Sequence, residues 1–361
     1  MKILTRYIIT EFIPPTAIGL AVFTFILIVD RIFDLVRLII NRGINVFFVL
    51  KLLAYLLPSL LSLSIPMAIL SGALLCFGRL SNDNEVTAIR SSGISLNRII
   101  FPVVAFSLII SLFLIPLNQT IAPDYLYKFR KLYFKMMYKN PLLKLEEHTF
   151  INISDYRIYV EKIKREKSKL SGVVIYQMKK NELPTLITAL DGSIESKNDA
   201  IVLHLENGNI RKREKDNLNK YNIIDFKKYD IILTSAQDVP ELSKRIKEMN
   251  YRELKKEILK LKESGVPDSS LLIELYQRYS FAAAGLVFCL IGAPLGIKTH
   301  AKGKSMGLGF SLIIIFLYYF LLAVGITLSD KKILAPVIGM WIPNITFGLL
   351  GSWLIYRVTR K

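Results

Sequence analysis

The chain has 361 residues, is 52% hydrophobic and carries a formal net charge of +19. Its apolar residues are gathered into runs, several of which reach the ~20 residues needed to cross a bilayer. That pattern excludes an ordinary soluble domain and sets the expectation of a multi-pass membrane protein with a polar middle.

Met1–Glu11 is short and basic, with Lys2 and Arg6. The first span is expected over Phe12–Val29, with Pro14 and Pro15 in its first turns, where a missing N–H costs least. It has no small-residue cleavage site, so no cleavable signal peptide is expected. Asp30–Asn45 is polar on one stripe, carrying Asp30, Arg31, Asp34, Arg37 and Arg42. A second span follows over Lys51–Phe77, with kinks expected at Pro58 and Pro66. The stretch Arg79–Ile100 is polar and mildly basic, yet lies between two apolar runs. A short helix is expected there over Glu85–Arg90, capped by Asn82 or Asp83 and ended by Gly93. The third span is expected to run to Ile121 and end at Pro116 and Pro123.

From Asp124 to Ser264 charges are dense and no long apolar run survives. Lys128–Lys144 can extend the third span as helix. Short alternating strands are expected at Phe150–Ile153, Arg157–Lys162, Gly172–Gln177, Leu186–Leu190, Ala200–Leu205, Asn222–Phe226 and Tyr229–Leu233. Asn207-Gly208 between Leu205 and Ile210 reads as a two-residue hairpin. These strands point to a small β-sandwich or open barrel. Glu241–Glu263 reads as a helix with Leu254, Ile258 and Leu261 on one face, broken by Gly265-Val-Pro267. Three more spans follow at Ser270–Ile297, Met306–Leu328 and Leu334–Tyr356.

Six spans place both termini, the Arg79–Arg98 loop and the Lys298–Lys304 loop on one side. All four segments are basic, so that side is the cytoplasm by the distribution of positive charge. The β domain is then outside. Arg31, Arg37, Arg42 and Lys51 also fall outside, against that rule. They read either as side chains snorkelling at the end of a span or as a cationic rim for an anionic lipid or phosphate. Lys128, Arg130, Lys131 and Lys135 extend the rim or form a solvated helix face.

Catalytic chemistry is hard to find. Gly303-Lys304-Ser305 suggests a phosphate loop, but that pattern needs glycine at position 298, which is Lys298. Mid-span carboxylates, a Ser-His-Asp set and metal-ligand spacing around His148, His204 and His300 are all missing from the sequence. Cys76 and Cys289 lie in apolar runs and read as small buried core residues. Glu274 and Arg278, four residues apart at the mouth of the fourth span, read as a local ion pair. No cofactor, metal or nucleic-acid partner is expected, and energy for any work has to come from another protein.

The run Ile65-Pro66-Met67-Ala68, Gly72-Ala73-Leu74-Leu75, Gly78-Arg79-Leu80, Asn84-Glu85-Val86-Thr87-Ala88 and Ser92-Gly93-Ile94-Ser95 resembles the LptF/LptG permeases of the lipopolysaccharide exporter. So do Glu274, Arg278-Tyr279-Ser280, Gly292-Ala293-Pro294-Leu295, Gly303-Lys304-Ser305-Met306-Gly307, Tyr318-Tyr319 and Trp341-Ile342-Pro343-Asn344. The resemblance implies six transmembrane helices with an inserted β-jellyroll-like periplasmic domain, in the cell inner membrane. It divides the chain into residues 1–123, 124–265 and 266–361.

It also implies a non-catalytic subunit of an ABC transporter. Such a subunit pairs with a paralogous permease above a dimer of cytoplasmic ATPases. It takes lipopolysaccharide from the outer leaflet and passes it to a periplasmic β-jellyroll bridge protein. The coupling helix maps to Asn84, Glu85, Val86, Ala88, Arg90 and Gly93, with Glu85 as the acidic contact to the ATPase. The basic residue at the outer end of the family's first span maps to Arg31, which adds weight to the cationic rim of Arg31, Arg37 and Arg42 as a lipid-binding site. Asn84-Glu85-Val86-Thr87 lies nearer LptF than LptG. The rival readings are a permease or mechanotransmitter of another ABC system, a membrane-embedded lipid enzyme, and a structural anchor.

Overall fold

The computed structural model describes residues 2–40, 45–139, 147–153, 155–164, 169–178, 184–197, 200–213, 221–234, 243–264, 269–299 and 304–360. Arg42 and Gly303 lie outside these residues. The chain divides into two compact units, Met1–Phe129 with Lys244–Lys361, and Arg130–Ser243.

The first unit is helical. Helix α1, Lys2–Ile40, begins before the expected span and continues past Val29, so Pro14 and Pro15 lie in its interior. Helix α2, Val46–Asn82, runs unbroken through Pro58 and Pro66. Helix α3, Glu85–Ser91, is the short helix expected between two spans. Helix α4, Leu96–Pro116, passes through Pro102 and ends at Pro116. A π-turn over Leu117–Ile121 joins it to α5, Ala122–Lys139, and the Ala122 N–H bonds to the Leu117 carbonyl, five residues back. That wider spacing lets the rod pass Pro116 and Pro123, where an ordinary ladder would be interrupted.

The return leg starts later than expected. A 3₁₀ turn over Ile246–Glu248 precedes α6, Tyr251–Glu263, because Asn250 and Glu253 form a capping box that fixes the helix start. Helices α7 (Ser269–Thr299), α8 (Lys304–Asp330) and α9 (Pro336–Thr359) complete the unit. Six helices among the described residues are long and apolar enough to cross a membrane, as expected: α1, α2, the α4–α5 rod, α7, α8 and α9.

Helices α2 and α7 form the buried centre, while α1, α8 and α9 turn most of their surface outward. Apolar burial gives little drive between helices in lipid, so close approach and polar bonds do the holding. Between α1 and α2 the contact is through small residues. A side chain at Gly72 would strike Thr16, and Thr24 Oγ1 donates to Ser64 Oγ at 2.9 Å. Ser81 Oγ donates to the Ile297 carbonyl at 2.9 Å, joining α2 to α7. Tyr318 OH donates to Asn344 Oδ1 at 3.0 Å, and Asn344 Nδ2 donates to the Ser280 carbonyl at 2.9 Å, joining α7, α8 and α9. Cys76 and Cys289 are free thiols buried in the core beside α1 and α4, as their apolar setting indicated.

Glu274 and Arg278 do form the expected ion pair, at 2.9 Å, but the arginine does more. Its side chain is only 6% exposed, and Nη1 donates to the Met249 carbonyl at 2.8 Å. Nη2 reaches the carbonyls of Ile246 and Lys247 at 3.3 and 3.4 Å. The Arg278 carbonyl accepts from Asn118 Nδ2, in the π-turn, at 3.2 Å. Lys244 adds a second tie, bonding Glu253 at 2.7 Å and approaching Asp124 at 3.6 Å. Burial pushes the Glu253 carboxyl up, but the Lys244 ammonium and the Asn250 N–H outweigh it and hold it below the usual carboxylate range. This tie is therefore complete near neutral pH and weakens as acid protonates the carboxylate.

The second unit carries the last turns of α5 and the expected β strands. Its described strands, β1 (Ile151–Ile153), β2 (Tyr156–Lys164), β3 (Lys169–Gln177), β4 (Thr185–Lys197), β5 (Ala200–Arg213) and β6 (Tyr221–Thr234), form one antiparallel sheet in sequential order. Asn207-Gly208 is not a hairpin. Strand β5 runs through it, and the two segments expected at Asn222–Phe226 and Tyr229–Leu233 are one strand, β6.

The reason is a bend. Pairing on both sides skips one row, Glu161, Gly172, Leu190, Asn207 and Lys227. Gly172 and Asn207 have positive φ, +66° and 52°. Core residues change parity across the row, from Val160 to Ile163, Leu170 to Val173 and Ala189 to Ile194, yet all belong to one cluster. Bulged positions that line up across strands bend the sheet while keeping one face on the core. Gly208 flanks the row where backbones crowd: a Cβ there would lie 2.1 Å from the Thr188 carbonyl oxygen and 2.5 Å from Phe226 Cζ. The turn-favouring dipeptide thus serves a bend inside a strand.

Gly208→Val should destabilise the β unit by about 3 kcal/mol through overpacking. Thermal proteolysis of the full-length protein would read this as earlier cleavage within 150–234, and wild-type resistance would contradict the crowding. Arg278→Leu should leave Glu274 unpaired and cost about 3 kcal/mol locally. Hydrogen exchange should then accelerate at 246–250, and unchanged exchange would remove Arg278 as the anchor of that turn.

Candidate functional site

Helix α3 is short enough that its shape depends on its ends. Asn84 occupies the N-cap with a left-handed backbone (φ 57°) and makes no side-chain cap, so the cap is neither Asn82 nor Asp83. At the other end the Gly93 N–H bonds to the Arg90 carbonyl at 2.9 Å, and the Ile94 N–H reaches the Ile89 carbonyl at 3.4 Å. With Gly93 at φ +82° this is a Schellman ending, which reverses the chain into α4.

Asn84, Thr87, Ala88, Arg90 and Gly93 are exposed. Val86 is placed differently from a contact residue. It is 4% exposed and packs in one core cluster with Leu80, Leu96 and Ile99, fastening α3 to its neighbours. Ile89 packs against the same cluster. The outward face of α3 is therefore polar and small, and its inward face is apolar. The same cluster holds Ile8 and Phe12 of α1, and Ile355 and Val358 of α9 pack on it, so both chain ends lie at the α3 end of the bundle.

Glu85 is half-buried and already engaged. Its Oε2 accepts from Tyr7 OH of α1 at 2.5 Å, and its Oε1 lies 3.9 Å from Arg79 Nη2 of α2. Arg79 also pairs with Glu11 at 2.8 Å, approaches Asp83 at 3.9 Å and donates to Tyr7 OH at 3.4 Å. The five side chains connect three helices. Sequence reasoning missed this network because its members are up to 78 residues apart.

The three arginines proposed for lipid contact are not all placed. Arg31 lies on α1 and is exposed, Arg37 lies further along the same helix, and Arg42 falls outside the described residues. On α5, Lys128 and Lys131 are exposed, with Lys128 Nζ 4.6 Å from the centre of the Tyr125 ring. Arg130 Nη2 donates to the Ser243 carbonyl at 2.6 Å, within the β-bearing unit.

Among the described residues no three His, Cys, Asp or Glu side chains gather as metal ligands would. His204 Nδ1 lies 2.6 Å from Asp230 across paired strands.

No curated protein matches the chain. A family model does match, over residues 6–357, and its description is "Lipopolysaccharide export system permease LptF/LptG". The span count, the inserted antiparallel sheet and this match agree, and the chain belongs to the LptF/LptG family of lipopolysaccharide export permeases.

Proposed function

We propose that this chain is one half of a permease pair in an ATP-driven lipopolysaccharide exporter of the cell inner membrane. Its termini and α3 face the cytoplasm and its β unit faces the periplasm. A dimer of ABC ATPases docks on α3 and supplies the energy, and the chain itself carries out no catalysis. Lipopolysaccharide enters from the outer leaflet between the two permeases and leaves by way of the β unit to a periplasmic bridge protein. Within the pair, Asn84-Glu85-Val86-Thr87 supports the LptF side.

The observation that carries this reading is α3. It is a seven-residue helix closed by a Schellman turn, hung between two long apolar helices, with an apolar inner face and a small polar outer face. Such a helix is displaced when a docked protein moves, and its two neighbours must follow. The basic segments at the same end, Lys2 and Arg6, Arg90 and Arg98, and Arg357 and Arg360, support the cytoplasmic assignment. Arg31, near the other end of α1, suits a phosphate-bearing lipid, since a guanidinium binds phosphate through a two-pronged fork.

Glu85→Lys should reverse the charge offered to the ATPase and lower the amount that co-purifies by about tenfold. Full recovery of the ATPase with this variant would remove Glu85 from the docking surface. Arg31→Glu should reduce photocrosslinking of lipopolysaccharide several-fold without loss of membrane insertion. Equal crosslinking would leave Arg31 as a residue that merely reaches for the membrane surface.

A further inference from the structure

The network at Arg79 joins the proposed docking helix to a helix that the ATPase is not expected to touch. Glu85 is the first residue of α3, Arg79 and Asp83 close α2, and Tyr7 and Glu11 belong to α1. The Arg79–Glu11 pair at 2.8 Å and the Tyr7–Glu85 bond at 2.5 Å are its shortest links. Arg79 is 44% exposed and Glu85 31%, so solvent screens each pair. Exposed pairs of this kind add little to stability.

Helix α1 is continuous from Lys2 to Ile40. Tyr7 and Arg31 are therefore separated by about 36 Å along a single helix axis. Small-residue packing at Thr16–Gly72 and the Thr24–Ser64 bond hold this rod along α2. A shift imposed at its Tyr7 end is carried to the end bearing Arg31.

We propose that Arg79, with Tyr7 and Glu11, is a positioning device that ties α3 to α1, so that movement of the docking helix reaches the Arg31 end of α1. This rests on the export reading above. Arg79 holds Glu85 and Glu11 at once, one on each helix. A partner cation that pulls on Glu85 loads the Tyr7 bond and the Arg79 pair, and α1 is drawn with it.

The test separates docking from transmission. Complex carrying Arg79→Gln, Arg79→Lys or Tyr7→Phe is purified from membranes and reconstituted in liposomes containing lipopolysaccharide. ATP hydrolysis and delivery to the bridge protein are then measured together. The expected result is that Arg79→Gln and Tyr7→Phe still hold the ATPase and hydrolyse ATP, but deliver several-fold less lipopolysaccharide per ATP. Arg79→Lys, which keeps the charge but not the fork, should recover part of that ratio. A wild-type ratio in both Arg79→Gln and Tyr7→Phe overturns the proposal, as does loss of ATPase in parallel with loss of delivery. Tyr7→Phe removes a single hydroxyl and keeps the test open if Arg79→Gln does not fold. A wild-type complex with neither ATPase nor delivery overturns the export reading, and the tie falls with it; a working wild type with unaffected variants removes the tie alone.

Discussion

A polar helix is not stable within a bilayer, and a long apolar helix is not stable outside one. The end of the bundle that carries α3 follows from that pair of constraints. Helices α2 and α4 are apolar over more than a bilayer's thickness, and α3 between them exposes Asn84, Thr87, Ala88 and Arg90. The only arrangement that satisfies all three places α3 at the membrane surface, fastened by Val86 and Ile89 to the apolar cluster that its two neighbours share. Gly93 then supplies the left-handed residue that turns the chain back toward the membrane. The docking surface proposed for the ATPase is thus a by-product of where polar and apolar residues can lie, and its shape is fixed by a few short-range bonds.

The other end of the helical unit faces a different difficulty. The chain leaves it through α5 and returns through the turn at 246–248, and both legs must be held without a large apolar interface. Arg278 holds the returning leg through three backbone carbonyls and accepts from Asn118 of the outgoing leg on its own carbonyl. A buried guanidinium is tolerable only because Glu274 and those carbonyls satisfy it. The outgoing leg passes through a π-turn, where the helix has already departed from regular bonding.

What was legible in the sequence was what local chemistry decides. Run length gave the six spans, and the Gly93 ending of α3 was readable because a Schellman turn needs only a glycine and a few neighbouring residues. The failures have a common cause in long-range contacts. Asn207-Gly208 favours a turn, but pairing of Gly208 with Ala189 on one flank and Phe226 on the other recruited it for a bend instead. Pro116 and Pro123 usually end helices, yet a π-turn absorbed them. Glu274 and Arg278 were found as a pair, while the bonds from Arg278 to residues 246–249 were invisible because nothing in spacing links them. At the candidate site, Glu85 and Arg90 could be singled out by motif, but Val86 proved an internal anchor, and the ties from Glu85 to Tyr7 and Arg79 depend on how α1 lies along α2.

The central claim is that this chain exports lipopolysaccharide as part of an ATP-driven assembly. Mass spectrometry of the tagged protein, purified gently from its own membranes and analysed for both proteins and lipids, tests it most directly. The account predicts a second LptF/LptG-type permease, a soluble ABC ATPase and bound lipopolysaccharide in the same particle. A particle with a different bound lipid, or one with no ATPase and no lipopolysaccharide, would contradict it.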